Sequence, residues 1–256
     1  MSRLLYILLI CTIGMSSCLG DYPQYIEWIT IEGGSFMMGS NSGDGDERPV
    51  HMVTVPSFQI MKTEVTVGMY QACIDAGRCN DSVSGGEDHP ITGVDWHQMM
   101  AFAAWVGARL PTEAEWEFAA TNRGQSTYPW GDDAPDCSRA QYDNCSGETT
   151  VPVCSKTAGL TEQGLCDMAG NVWEWVQDEY HSNYDGAPHD GSGWCNGVCP
   201  ENASDSNYNA SDSADRVFRG GGWTNGSSGM RSASRHYNAP STQYYSYGGR
   251  LARSIP

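Results

Sequence analysis

Cys166 to Tyr180, CDMAGNVWEWVQDEY, is the stretch where residue types and spacing could do the most chemistry. Asp167 and Glu174 offer carboxylate oxygens seven residues apart, and Gly170 between them lets the backbone turn sharply. Trp173 and Trp175 flank the glutamate, and side chains so large and apolar are not left in water without a reason. An acidic loop tied down by aromatic anchors can hold a hard cation, which takes oxygen ligands. The same residues also read as a turn leading into a core strand. Residue types alone leave both readings open.

The cysteines are the second chemical resource. Cys11 and Cys18 lie in the first twenty residues, and the body of the chain holds Cys73, Cys79, Cys137, Cys145, Cys154, Cys166, Cys195 and Cys199. An even number in an exported chain reads as disulfides. Four close sequence neighbours make sequential pairing the economical arrangement. The spacings form no paired CxxC knuckles, which argues against zinc. His89, His97 and His236 are scattered on no metal-type spacing and read as surface or packing residues. Ser227, Ser228 and Ser232 lie in no nucleophile-elbow context, so serine hydrolase chemistry is not expected.

The start of the chain fixes the compartment. Arg3, an apolar run from Leu4 to Met15, and then Ser16, Ser17 and Cys18 have the make-up of an export signal, too short to span a bilayer. Ser-Ser-Cys is similar to a bacterial lipobox, which makes Cys18 the lipidated first residue of the mature chain. The other route is cleavage after Gly20 and secretion. The protein is therefore expected in the bacterial cell envelope or outside it, touching a membrane only through a lipid anchor. The net charge of −17 excludes nucleic acid as a partner, because both surfaces would repel.

The elements that must position these residues follow in order. Residues 26–38 and 51–60 alternate and carry β-branched side chains, so both read as strands. Thr66 opens a helix that presents Val67, Tyr70 and Ile74 and stops near Gly77. Asp95 and Gln98 form a capping box over a second helix with Trp96, Met99, Met100, Ala103 and Val106 on its apolar stripe, ended by Gly107. Thr112 and Glu115 cap a third, which buries Trp116, Ala119 and Ala120. After Arg123 helical periodicity disappears. Residues 186–215, rich in Ser, Asn, Asp and Gly, read as a solvated insertion clipped by Cys195 and Cys199.

Six motifs then line up: FMMGS (Phe36 to Ser40), HPITGVDW (His89 to Trp96), RLPTEAEWEFAA (Arg109 to Ala120), GNVWEW (Gly170 to Trp175), RGGGW (Arg219 to Trp223) and GGRLAR (Gly248 to Arg253). Together they resemble the formylglycine-generating enzyme family, the sulfatase-modifying-factor domain, over residues 26–253. The resemblance implies one irregular, loop-rich α+β domain related to the C-type lectin fold. It also implies a structural calcium held by Asp167, the carbonyls of Gly170 and Val172, and Glu174. Aspartate stands where the family commonly has asparagine, a change suited to a hard cation. A second family calcium site is left open around Gln141 and Tyr142, because the segment after Tyr128 to Gly131 is shorter here.

The family's oxidases convert a protein cysteine to formylglycine with copper held by two cysteines between RGGxW and the next arginine-bearing strand. Here that interval, Thr224 to Arg235, contains no cysteine. Soft thiolates are what Cu(I) requires, so copper is not expected. The reading is a non-catalytic, calcium-stabilised domain that binds an unknown peptide, protein or glycan in a cleft near Arg219, Trp223, Asn225, Arg231 and Arg235. Against it stand a core role for those residues, with the arginines paired to buried carboxylates, and an oxidoreductase acting on protein cysteine through a non-standard copper site.

Overall fold

The computed structural model describes residues 26–80, 83–147 and 149–255. The expected export signal, with Cys11, Cys18 and both cleavage alternatives, lies outside the described residues.

Each sequence run expected as one strand is two. Residues 26–38 divide into β1 (Trp28–Ile31) and β2 (Gly34–Met38). The break falls at Gly33, where a Cβ would lie 2.5 Å from the Val55 carbonyl oxygen, so only glycine lets the two backbones come this close. Residues 51–60 divide into β3 (His51–Val55) and β4 (Phe58–Met61). Pro56 sits in that gap and cannot donate to a ladder. β2 and β3 pair antiparallel with Phe36 opposite Val53, and the alternation turns Phe36, Met38, Val53 and Val55 inward. β1, β4 and β9 (Ala252–Ser254) form a separate antiparallel sheet.

The three helices form where their caps predict. In α1 (Val67–Asp75), Thr66 Oγ1 accepts the Met69 N–H. α2 (Trp96–Val106) carries the reciprocal Asp95–Gln98 box and ends at Gly107 with φ 73°. α3 (Glu113–Ala120) carries the Thr112–Glu115 box. All eight residues of α3 are buried, Glu113, Glu115 and Glu117 included, rather than one apolar stripe. The reason is electrostatic and belongs to the site described below.

The central sheet has the order β7-β6-β5-β8, built from β5 (Trp173–Glu179), β6 (Arg216–Arg219), β7 (Arg235–Asn238) and β8 (Tyr247–Gly248). β8 runs parallel to β5, and the other pairs are antiparallel. Every residue of β5 is buried, because core lies on both of its faces. Trp96, Phe102, Trp173, Trp175 and Phe218 gather in one cluster, and Phe36, Trp116, Phe118 and Val176 in a second. The buried indoles are satisfied at their polar tips. Trp96 donates to the Val176 carbonyl at 2.9 Å and Trp175 to the Val94 carbonyl at 3.1 Å.

The cysteines pair in sequence order, 73–79, 137–145, 154–166 and 195–199. The polar segment 186–215 has no regular element, but it is docked rather than loose. The Thr54 N–H donates to the His189 carbonyl, the Ala203 N–H to Met100, and Asn202 Nδ2 to the Ala108 carbonyl. Among the described residues no helix is long and apolar enough to cross a membrane.

Candidate functional site

The expected cation loop leads into the start of β5. Asp167, Gly170 and Asn171 have φ of 55°, 86° and 62°, so the backbone turns through the left-handed region three times in five residues. A Cβ on Gly170 would lie 2.4 Å from the Gln141 carbonyl oxygen. The Cys154–Cys166 bridge braces the entry, where the Cys154 N–H donates to Asp167 Oδ2 at 2.7 Å. Glu174 is fully buried and accepts Arg250 Nε and Nη2, both at 2.7 Å, and Trp116 Nε1 at 2.9 Å.

A third carboxylate, which sequence reading passed over, completes this corner. Glu64 is fully buried. Its Oε1 accepts the Val172 N–H at 3.1 Å and its Oε2 accepts Asn171 Nδ2 at 2.7 Å. Burial, then the Asp167 and Glu174 charges, push the Glu64 carboxyl well above the usual range, and burial raises Asp167 too. One hint stood in the sequence: an acid between the apolar end of β4 and the Thr66 cap.

Asp167, Glu174 and the loop carbonyls are hard oxygen donors, and the excess negative charge of the corner fits a divalent cation in type and sign. Glu174 already shares its oxygens with Arg250, so a bound ion would share that carboxylate with the guanidinium. The Cys154 and Cys166 sulfurs lie within 4.8 Å of an Asp167 oxygen, but their mutual bond removes them as thiolate ligands.

The five residues assigned to a cleft separate in the fold. Arg219 and Arg235 are buried struts of α3. Arg219 donates to Glu113 at 2.6 Å and also to Glu117, while Arg235 grips Glu113 through Nε at 2.8 Å and Nη2 at 2.7 Å. With the Arg109–Glu115 pair at 2.6 Å, this explains how a helix with three glutamates is buried on every side. Arg231 makes a two-pronged pair with the fully buried Glu47, at 2.7 and 2.6 Å. Asn225 Oδ1 accepts Trp173 Nε1 at 2.8 Å and so fixes the indole ahead of Glu174.

Trp223 faces a cavity of about 300 Å³ whose other lining residues were not foreseen, while Arg231 lines a separate one of about 260 Å³ with Glu117 and Asp132. Tyr245 lies beside it with ring centroids 5.4 Å apart, and Tyr244 lies 4.1 Å from Tyr245. His89, Thr149, Thr150 and the backbone at Gly85 and Gly86 complete the wall. His89 Nδ1 lies 3.0 Å from Thr150 Oγ1. Among the described lining residues there is no Asp, Glu, Lys or Arg, which is unusual on a chain of net charge −17. The Tyr244-Tyr245 doublet was the signal available in the sequence.

The copper interval also has a definite shape. Ser227–Met230 is a short 3-10 turn, and Met230 is fully buried against Ala140, Tyr142, Cys145 and Ala169. Its thioether is a packing group.

The fold and these motifs define an irregular α+β domain strutted by arginine–carboxylate pairs, and comparison with known proteins agrees. A family model described as "Sulfatase-modifying factor enzyme 1-like domain" matches residues 20–255, and the chain belongs to that family. It is 37% identical over 186 residues to the serine/threonine-protein kinase Pkn1 of Chlamydia trachomatis, covering 63% of this chain and 29% of that protein. It is 28% identical over 221 residues to the formylglycine-generating enzyme of Streptomyces coelicolor, covering 61% of this chain and 70% of that one. The chain thus spans less than a third of the length of its kinase-named relative. Among solved structures, PvdO from Pseudomonas aeruginosa superimposes with a TM-score of 0.71 at 27% identity, covering 89% of this chain and 94% of PvdO.

Proposed function

We propose that this protein is an exported, calcium-stabilised member of the family that binds an uncharged ligand, a glycan or a peptide segment, at the Trp223–Tyr245 cavity and performs no oxidase chemistry. The observation that carries the reading is the interval between Trp223 and Arg235. It holds no thiol, its one thioether is packed in the core, and the adjoining wall is aromatic and hydroxyl-bearing, with no Asp, Glu, Lys or Arg among its described residues. Cu(I) needs soft donors, whereas an aromatic face with hydroxyls beside it suits a neutral ligand with an apolar side.

Calcium belongs to the acidic corner, held by Asp167, Glu174 and the carbonyls of Gly170 and Val172. When bound it would supply positive charge among buried carboxylates and lock the entry to β5. The domain reaches the envelope through the leader, with Cys18 as the lipid attachment or with release after Gly20. Loss of labelled-lipid incorporation in Cys18→Ser would separate these routes.

The test of the central reading has two arms. With copper, oxygen and reductant, the protein should leave a cysteine-containing sulfatase-motif peptide unconverted, and turnover would restore the oxidoreductase alternative. Neutral oligosaccharides and uncharged peptides should perturb tryptophan fluorescence of the wild type but not of Trp223→Ala. Equal responses from both would remove the cavity as the binding site.

A further inference from the structure

A second groove, of about 570 Å³, lies where segment 186–215 crosses the end of the β1-β4-β9 sheet, and the Cys195–Cys199 bridge stands at its wall. The two sulfurs have different surroundings. Cys199 lines the groove together with Gly197 and the exposed Val198. Cys195 does not line it, and its sulfur lies 3.5 Å from Nη1 of Arg216, a guanidinium that is 1% exposed. Arg216 also stacks 4.2 Å over the Trp96 ring, donates to the Gln177 carbonyl, and pairs with Asp212 and with Glu179 at 3.7 Å. Its Nε is buried with no hydrogen-bond partner among the described residues.

The Cys195 side is held firmly. The Glu179 N–H donates to the Trp194 carbonyl, and Asn196 donates to Glu179 Oε2 through its N–H and its Nδ2 at 3.0 and 2.6 Å. Trp194 stacks on His181 at 3.6 Å and donates its N–H to Asp178. On the far side, Gln177 Nε2 holds the Pro200 carbonyl at 2.7 Å. Opening the bridge would therefore leave both sulfurs near their present places.

We propose that Cys195–Cys199 is a thiol–disulfide exchange site, attacked from the groove at Cys199, with Cys195 as the leaving sulfur beside Arg216. An incoming thiolate bonds to Cys199 Sγ. The Cys195–Cys199 bond breaks, and its electron pair departs on Cys195 Sγ, opposite the guanidinium. A second thiol of the same substrate, as thiolate, then attacks the substrate sulfur of the mixed disulfide and expels the Cys199 thiolate. The substrate dithiol loses two electrons and two protons and becomes a disulfide, and the protein pair gains the two electrons. Exchange is favoured when the leaving thiolate is stabilised and the attacked sulfur is accessible, and this bridge meets both conditions. It also closes the shortest loop of the four, with a sequence separation of 4.

The groove also selects the thiol. Asp190, Glu201 and the Glu115 of the Arg109 pair line it, so its acids outnumber its single cation. Neutral or basic thiols, such as cysteines in basic peptide segments, are the matching class, and anionic thiols are repelled. The site shares no lining residue with the Trp223 cavity and does not depend on that reading.

The experiment uses the folded protein with cysteamine, glutathione and mercaptoacetate at matched thiolate concentration, trapped by rapid alkylation and mapped by peptide mass. Cys195–Cys199 should open first and alone, with the adduct on Cys199. Cysteamine should react about tenfold faster than mercaptoacetate at low salt, with the gap closing as salt rises. The thiolate absorbance of the opened pair should titrate below the ordinary cysteine value of about 8.5. Simultaneous opening of all four bridges, an adduct on Cys195, or equal rates for cationic and anionic thiols at low salt would each overturn the proposal. Failure here leaves the binding test at Trp223 unaffected.

Discussion

Two buried regions of this molecule each contain three carboxylates, and they are built oppositely. Around α3, Glu113, Glu115 and Glu117 meet Arg109, Arg219 and Arg235, one cation for each acid. At the entry to β5, Glu64, Asp167 and Glu174 have, among the described residues, only Arg250 as a buried cation. The first set, the three glutamates of α3, is matched by the chain's own arginines and acts as a strut, while Asp178 beside it is held by the Glu113 and Trp194 N–H groups. The second carries surplus negative charge that a proton or an external cation must balance. Charge balance, more than the presence of acids, separates scaffold from site.

The largest way to break this contrast is to unbalance the strut. Arg219→Met should cost about 3–5 kcal/mol in urea unfolding, since it strands Glu117 in the interior and leaves Glu113 to Arg235 alone. A loss below about 1 kcal/mol would mean the pairs contribute little. Calcium tests the other region next. At a hundred times its dissociation constant it should add about 2.7 kcal/mol, and Asp167→Asn should shrink that increment. A chelator that leaves the melt unchanged would remove the metal from the corner.

The pH response singles out Glu113, because burial raises Glu117 and Asp178 beside it just as it raises Glu64 and Asp167. Burial raises and then the Arg235 and Arg219 charges lower the Glu113 carboxyl, with a net depression below 4.5. Its stabilisation is present above 4.5 and lost as pH falls through the folded value. Glu64 has the opposite sign: its folded value is raised, so its contribution is present below 4.5 and lost as pH rises through that value. Asp178, beside α3, is pushed up to about 7 by burial and behaves like Glu64 on the alkaline side. Chelated protein should therefore lose stability from about pH 4 to 8, by up to about 1.4 kcal/mol per pH unit for each group titrating. Glu64→Gln and Asp178→Asn should each flatten part of that slope, read from urea midpoints. A flat profile in the chelated wild type would deny the surplus charge. The smallest effect belongs to Trp223→Ala, which removes a half-exposed ring and should cost about 1 kcal/mol or less while abolishing ligand response.

What the sequence shows and hides follows from range. The caps at Thr66, Asp95 and Thr112 act over three residues, so their spacing is visible in the string. The disulfides join close neighbours, and their order follows. Arg219 and Glu113 are 106 positions apart and Arg231 and Glu47 are 184 apart, so no local pattern reveals them as partners. Sequence proximity placed Arg219, Arg231 and Arg235 around one cleft with Trp223, but the strand registers of β6 and β7 turn Arg219 and Arg235 inward, onto α3. Glu64 was hidden for the same reason, since its hydrogen-bond partners lie 107 and 108 residues later.

The order in which the sheets close bears on manufacture in the cell. β8 completes the central sheet, β9 completes the sheet of β1 and β4, and Arg250 between them supplies the cation for Glu174. A ribosome that has released residues 26–245 has therefore produced neither finished sheet, and the Glu174 carboxylate still has no guanidinium. Both sheets are complete only once residue 254 has been made. Residues 247–254 thus act as one latch on two sheets.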